Sequence, residues 1–284
     1  MFALLRVEFV KQVRRVRTLV TFLVLTGLPL LIVAATKARE HHQDHGDGER
    51  HGVRLFVLAR QSGLLMPAVT LEVMSFLFLL IVAALFAGDS IAGEAASGNL
   101  RYVLLRPVSR VKLVLSKLTV ALVLTWVATF VVSVSALAFG VAFFGWHPIT
   151  LPPSIGLTGA IAGGTVLTTG TLLSHLLAAT AYVAFGVTAA VAVGVFFSAV
   201  TDSPAGAIGA TVGVYIVSAI LDGVDPLGVL RYGLPTHYSD VWSSMFTANA
   251  VSNDITAGIV VQLVWLAVFG TAAVLWFRRK DITS

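Results

Sequence analysis

The 284-residue chain contains no cysteine, which excludes disulfides, thiolate metal sites and cysteine nucleophiles and leaves its redox compartment unmarked. Charge is scarce as well. Only 12% of residues are Asp, Glu, Lys or Arg against 57% hydrophobic, and the mean hydropathy is +0.92, so too little polar surface remains to cover a water-soluble globule. A soluble enzyme is excluded. No G-x-x-x-x-G-K-[ST] phosphate loop occurs, and no Gly-Lys dipeptide exists to seed one, so the chain cannot power itself with ATP. G-x-S-x-G and H-E-x-x-H are missing too, and His175 is the only histidine bordering an apolar run without loop polarity, which leaves an intramembrane enzyme no catalytic constellation.

What the chain has instead is long uncharged runs. A bilayer core of about 30 Å takes about 20 apolar residues per helical crossing. Six runs qualify, at about residues 18–36, 67–88, 113–145, 175–200, 204–221 and 257–277. They predict an all-α membrane protein of a single domain with six transmembrane helices. Positive charge gathers on the cytoplasmic side of a membrane. With the N-terminus inside, the inner segments hold Arg6, Lys11, Arg14, Arg15, Arg17, Arg101, Arg106, Arg110, Lys112, Lys117, Arg278, Arg279 and Lys280, thirteen of the nineteen Lys and Arg. The outer segments keep six, five of them between Lys37 and Arg60 and offset by Glu40, Asp44, Asp47 and Glu49. An N-in, C-in arrangement in the cell membrane is expected. Residues 154–174, rich in glycine and threonine, form a loop, a half-inserted segment or an extension of the fourth span; a seventh crossing there would throw Arg278, Arg279 and Lys280 outside.

The N-terminal segment is patterned. Phe2, Leu5, Phe9, Val13 and Val16 fall within an arc of about 80°, with Lys11, Arg14 and Arg15 opposite. This predicts a helix on the inner membrane surface, its basic face toward anionic lipid heads. The nineteen uncharged residues from Thr18 to Thr36 exceed the h-region of a secretory signal, about 7 to 15 residues, so an uncleaved anchor is expected.

Between the second and third runs stands GDSIAGEAASGNLRYVLLRPVSRVKLVLSK. It opens acidic and glycine-rich, continues as a short apolar and basic helix from Asn99 to Leu105, breaks at Pro107 and restarts at a Ser109 cap. With the C-terminal FRRKDI from Phe277 to Ile282 and the Ser203–Ala205 turn, this pattern resembles the ABC-2 type permeases, the membrane subunits of certain ATP-binding cassette exporters. The matching residues are Gly88, Asp89, Gly93, Glu94, Gly98 to Arg101 and Pro107 to Arg110.

The resemblance implies that a separate cytoplasmic subunit, in two copies, binds ATP and magnesium, so that no cofactor belongs to this chain. It implies a second permease subunit, here a homodimer, and no nucleic acid. Glu94, Gly98, Asn99, Leu100, Arg101, Leu104, Pro107, Ser109 and Arg110 would form the cytoplasmic coupling helix and its flanks. The cargo it suggests is hydrophobic or amphipathic. A secondary transporter or another ATP-independent polytopic protein is the alternative, and it calls for intramembrane charges or broken helices in both halves.

Three further features stand apart. His41, His42, His45 and His51 with Asp44, Asp47 and Glu49 form an outer cluster that reads as a solvated loop, because Gly46 and Gly48 interrupt any helix that would hold two ligands. Glu72, the only acid near an apolar run, has either an interfacial structural role or one in a substrate pathway. Ala205, Gly209 and Gly213 form a small-residue face for packing within the subunit or across a dimer. Beyond it, Tyr238, Val241, Trp242, Met245 and Phe246 predict an external helix anchored in the interface by Trp242 and Tyr238.

Overall fold

Apolar runs without water must satisfy their backbone groups internally, and the chain does so by folding as helices. The computed structural model describes residues 2–38, 59, 62–98, 109–147, 149–150, 166–167, 169–246 and 252–280. Its helices are α1 (Phe2–Val13), α2 (Val16–Ala38), α3 (Met66–Met74), α4 (Phe78–Ala96), α5 (Arg110–Phe144), α6 (Thr169–Gly186), α7 (Thr188–Val200), α8 (Pro204–Asp222) and α9 (Ser252–Arg279). Short 3-10 segments cover Gly63–Leu65, Asp225–Gly233 and Val241–Phe246, and Ile149–Thr150 pairs antiparallel with Val166–Leu167. Among the described residues, six helical stretches are long and apolar enough to cross a membrane: α2, α4, α5, α6 with α7, α8 and α9. The chain is an all-α multi-pass membrane protein.

Burial sorts these helices into layers. The best apolar windows of α4 and of α6–α7 are 72% buried, while those of α2, α8 and α9 are 22% buried, so α4 and α7 form the interior and the outer helices keep broad faces for lipid. The α4 helix packs on α7, α8 and α5; α9 lies against α7, and α2 lines α5. At 35 residues α5 is about 52 Å long, well over the bilayer core, so part of it stands clear of the hydrocarbon.

Several expectations need correction. The second span is not residues 67–88: α3 stops at Met74, residues 75–77 form a turn, and the helix long enough to cross runs from Phe78 to Ala96. Gly88 and Asp89, placed by the sequence between the second and third runs, lie inside α4, and Ile208 of α8 stands 2.8 Å from where a Cβ on Gly88 would be. The α6 helix begins at Thr169, so the fourth span starts before His175. Trp242 is no interfacial anchor. The Val241–Phe246 segment is 3-10, and its Trp242 and Phe246 are only 1% and 3% exposed, packed edge to face on each other with His175 of α6 against Phe246. The period that suggested a lipid-facing stripe serves protein packing instead. The outer cluster from His41 to His51 lies outside the described residues.

Candidate functional site

The helix α4 carries two acids, Asp89 and Glu94, into the protein interior, with side chains only 5% and 1% exposed. A buried carboxylate is costly unless paired, and both are paired. Lys117 of α5, 3% exposed, reaches Glu94 Oε1 at 2.7 Å and Glu8 of α1 at 3.1 Å, and donates to the Ser90 carbonyl at 2.8 Å. An ammonium has three donors, and all three are used. Lys11 of α1 donates to the same Glu94 oxygen at 2.5 Å. Asp89 receives Arg15 on one oxygen and Arg17 on the other, the latter at 2.6 Å. Three carboxylates and four cations thus join α1, the start of α2, the last turns of α4 and the first turns of α5.

Local sequence makes room for this network. Gly93 follows Asp89 by four residues on the same helix face, and a Cβ there would stand 2.5 Å from Asp89 Oδ1. Glycine lets the carboxylate lie along the helix toward α1. Across the interior, Ser198 of α7 touches α4 at the same turn: its Oγ accepts from the N–H groups of Ile91 and Ala92 at 2.9 and 2.8 Å and donates to the Gly88 carbonyl at 2.7 Å. Those groups belong to the α4 ladder, in which the Ala92 N–H is the regular donor to the Gly88 carbonyl. The acid-bearing turn is therefore tied to α7 behind and to α1 and α5 in front.

The same end of the bundle is fastened through α9. Arg110 Nη1 donates to the carbonyls of Phe277, Arg278 and Lys280, and Lys280 Nζ reaches the Ala199 carbonyl and Asp202 at 2.7 Å. Cations there meet the unsatisfied carbonyls and negative dipole of a helix C-terminus.

The family model described as ABC-2 family transporter protein matches residues 2–282. The chain belongs to the ABC-2 transporter family. A search of curated proteins found no match. The network accordingly belongs to an ABC-type membrane permease, and the permease's expected coupling residues divide around it. Glu94 is at its centre. Gly98 ends α4 at φ +69°, a left-handed conformation that glycine adopts without strain. Ser109 caps α5 by accepting from the Lys112 N–H. Arg110 is engaged with the α9 terminus. Asn99, Leu100, Arg101, Leu104 and Pro107 lie outside the described residues, in the segment that leaves α4 just past Glu94 and returns at α5 just before Lys117.

The face assigned to α1 needs correction. Glu8 is buried and Leu5, Lys11, Gln12, Val13 and Arg15 are half-buried against the protein, whereas Val7, Phe9, Val10 and Arg14 are exposed. Lys11 and Arg15 are not free for lipid heads, because the buried acids of α4 claim them; of the expected apolar stripe, Leu5 and Val13 pack on the core while Phe9 and Val16 stay exposed. Of Phe2, the backbone alone is described. Sequence reading also missed Glu8, Lys117 and Ser198. The signal for Lys117 was available, since a lone lysine entering a long apolar span needs a partner. Ser198 gave none.

Among the described residues nothing packs on the small-residue face of α8. Ala207, Thr211, Tyr215 and Ser218 are the buried positions of α8, and a Cβ at Gly209 or Gly213 would meet nothing within 4 Å among the described residues. Ala205 and Gly209 are exposed and Gly213 is half-buried. Glu72 stands at the other end of the bundle, on α3.

Proposed function

We propose that the chain is the transmembrane subunit of an ABC exporter, working as a pair of permeases with two copies of a separate ATPase that supplies ATP and magnesium, and moving a hydrophobic or amphipathic cargo out across the cell membrane. The observation that carries this reading is the buried network around Glu94. It binds the N-terminal helix, the second span and the third span into one body next to the segment 99–108, where the family resemblance puts the coupling helix. A push on that segment reaches α1, α4 and α5 together, because charges pulled apart inside the protein would be left unpaired. The asymmetry of Lys and Arg supports an N-in, C-in arrangement, which sets this network on the cytoplasmic side with the ATPase. The outward small-residue face of α8, without a partner among the described residues, supports a second permease copy.

The test is co-expression with a cassette ATPase, scoring association and ATP-dependent transport per inserted protein. Arg101→Glu, Pro107→Ala and Glu94→Gln are expected to lower transport, with Arg279→Glu as the control. Transport that persists without ATP and collapses with an ionophore would instead identify a secondary transporter.

A further inference from the structure

At the end of α4 remote from the charge network, two helix breaks face each other. One is the turn at residues 75–77 between α3 and α4, the other the step at Val187 between α6 and α7. Polar side chains tie the second break and the 235–238 segment together. Gln262 of α9 accepts from the Ala189 N–H and donates to the Pro235 carbonyl, each at 3.0 Å, and Tyr182 donates to the Tyr238 carbonyl at 3.0 Å. Between the breaks lies a cavity of about 50 Å³ walled by Phe76, Tyr182, Phe185, Tyr215 and Tyr238. Since one water needs about 10–15 Å³ of such space, it holds a few waters or the small end of a larger molecule.

Three features give this cavity a chemistry. Tyr215 is 5% exposed, and its hydroxyl, set against the Ala190 backbone, has no further hydrogen-bond partner among the described residues. A buried O–H left without an acceptor is costly, and this one lines an open space. Glu72 lies one turn before Ser75 and Phe76, and Asp240 directly follows Ser239, so each acid stands next to residues that line the cavity without lining it itself. Neither makes an ion pair among the described residues, although a cation is near in sequence: Arg231 is spent on Asp222 and Asp225. Finally, Phe76 is 39% exposed at the helix break, so the cavity meets the outer surface of the bundle where lipid lies.

The geometry points to a binding subsite for the cationic head of an amphipathic molecule, its charge drawn by Glu72 and Asp240 at the rim and received by the aromatic walls beside Tyr215, with its tail left toward lipid past Phe76. Aromatic faces attract cations within about 6 Å, most strongly where water is excluded. An anion would be repelled by both carboxylates, and a neutral hydrocarbon would leave them and the hydroxyl unanswered. No group of three metal-ligating side chains exists among the described residues, which argues against a bare metal ion. As a substrate class, this rests on the permease reading above.

The test uses the full chain in lipid nanodiscs without any ATPase, titrated calorimetrically with n-octylammonium, n-octanol and octanoate against protein-free nanodiscs. Saturable binding of octylammonium is expected, with octanol weaker and octanoate absent. Glu72→Gln with Asp240→Asn should weaken octylammonium about tenfold or more, Tyr215→Phe should weaken it less, and Asp225→Asn, an exposed acid away from the cavity, should leave it unchanged. Equal binding of the three head groups, no saturable binding, or wild-type affinity in the double variant overturns the subsite. Charge-selective binding without ATP-driven transport upholds the subsite and overturns the exporter reading instead.

Discussion

Lys117→Met removes the cation on which the buried network converges while keeping the length and apolar bulk of the side chain. In the native protein Lys117 and Glu94 are 3% and 1% exposed, so solvent cannot take over from the missing partner. Glu94 would keep Lys11 on its Oε1, but its Oε2 already has no partner among the described residues, and Glu8 would lose its ammonium entirely. Breaking a buried pair from one side costs about 3–5 kcal/mol, whereas replacing both members with neutral groups of similar size is often close to neutral. Lys117→Met alone should therefore lose about 3–5 kcal/mol, and adding Glu94→Gln should restore half of that or more. Reversible unfolding in mixed micelles, run as a double-mutant cycle, measures both numbers. A single variant as stable as wild type, or a double variant no better than the single, would refute the claim that these charges are coupled in a water-poor interior.

Because the chain contains no cysteine, single cysteines can map its topology without background: one at Lys112 or after Ser284 should label from the cytoplasm and one at Asp225 or Gly46 from outside. Labelling of both sets from one side would sink the N-in, C-in arrangement. Gly93→Ala should displace the Asp89 carboxylate and weaken its pairing with Arg15 and Arg17, lowering stability in the same micelle assay despite the better helix propensity of alanine. Gly209→Ala with Gly213→Ala meets nothing among the described residues, so the monomer should hold or gain about 0.5–1 kcal/mol per site. Native mass spectrometry should then show a weakened permease pair; an unchanged pair would place the second copy on another face.

The apolar runs made the number of spans legible, because twenty uncharged residues have few other solutions in a bilayer. Where the reading slipped, charge was the reason. Asp89 bounds the second uncharged run, since a carboxylate in a membrane helix looks forbidden until its partners are known, and the partners of Asp89 and Glu94 lie more than 70 residues back, between Lys11 and Arg17, or ahead at Lys117 of α5. The same pairing misled the reading of α1: Lys11 and Arg15 looked like a lipid-facing basic stripe, which is what a helix wheel shows when the acids belong to another helix. The Trp242 segment failed differently, because an apolar period says which side is buried without saying whether lipid or protein buries it. Glu72 was legible as a candidate, but its neighbour Asp240 and the cavity between two helix breaks required the fold.

Ser198 offers a way to ask how the two ends of α4 communicate. From Phe78 beside the cavity to Asp89 in the network is eleven residues, about 17 Å of helix. An unstrained helix transmits rotation over that length, while a turn whose hydrogen bonds are shared with a neighbour is a place to bend. The Ser198 hydroxyl takes part of the Ile91 and Ala92 N–H groups and occupies the Gly88 carbonyl, so the ladder of α4 is weakened just where the acids begin. In Ser198→Ala those groups are free to return to the regular i to i−4 pattern, and the turn should stiffen. Hydrogen exchange resolved at Ile91 and Ala92 should then slow relative to wild type, and ATP turnover by the assembled transporter should persist with less cargo moved per ATP. If instead both amides exchange faster and the protein loses about 1–3 kcal/mol, the serine supplies bonds that the helix cannot make for itself. The turn would then be a clamp between α4 and α7, and bending there would have no part in transport.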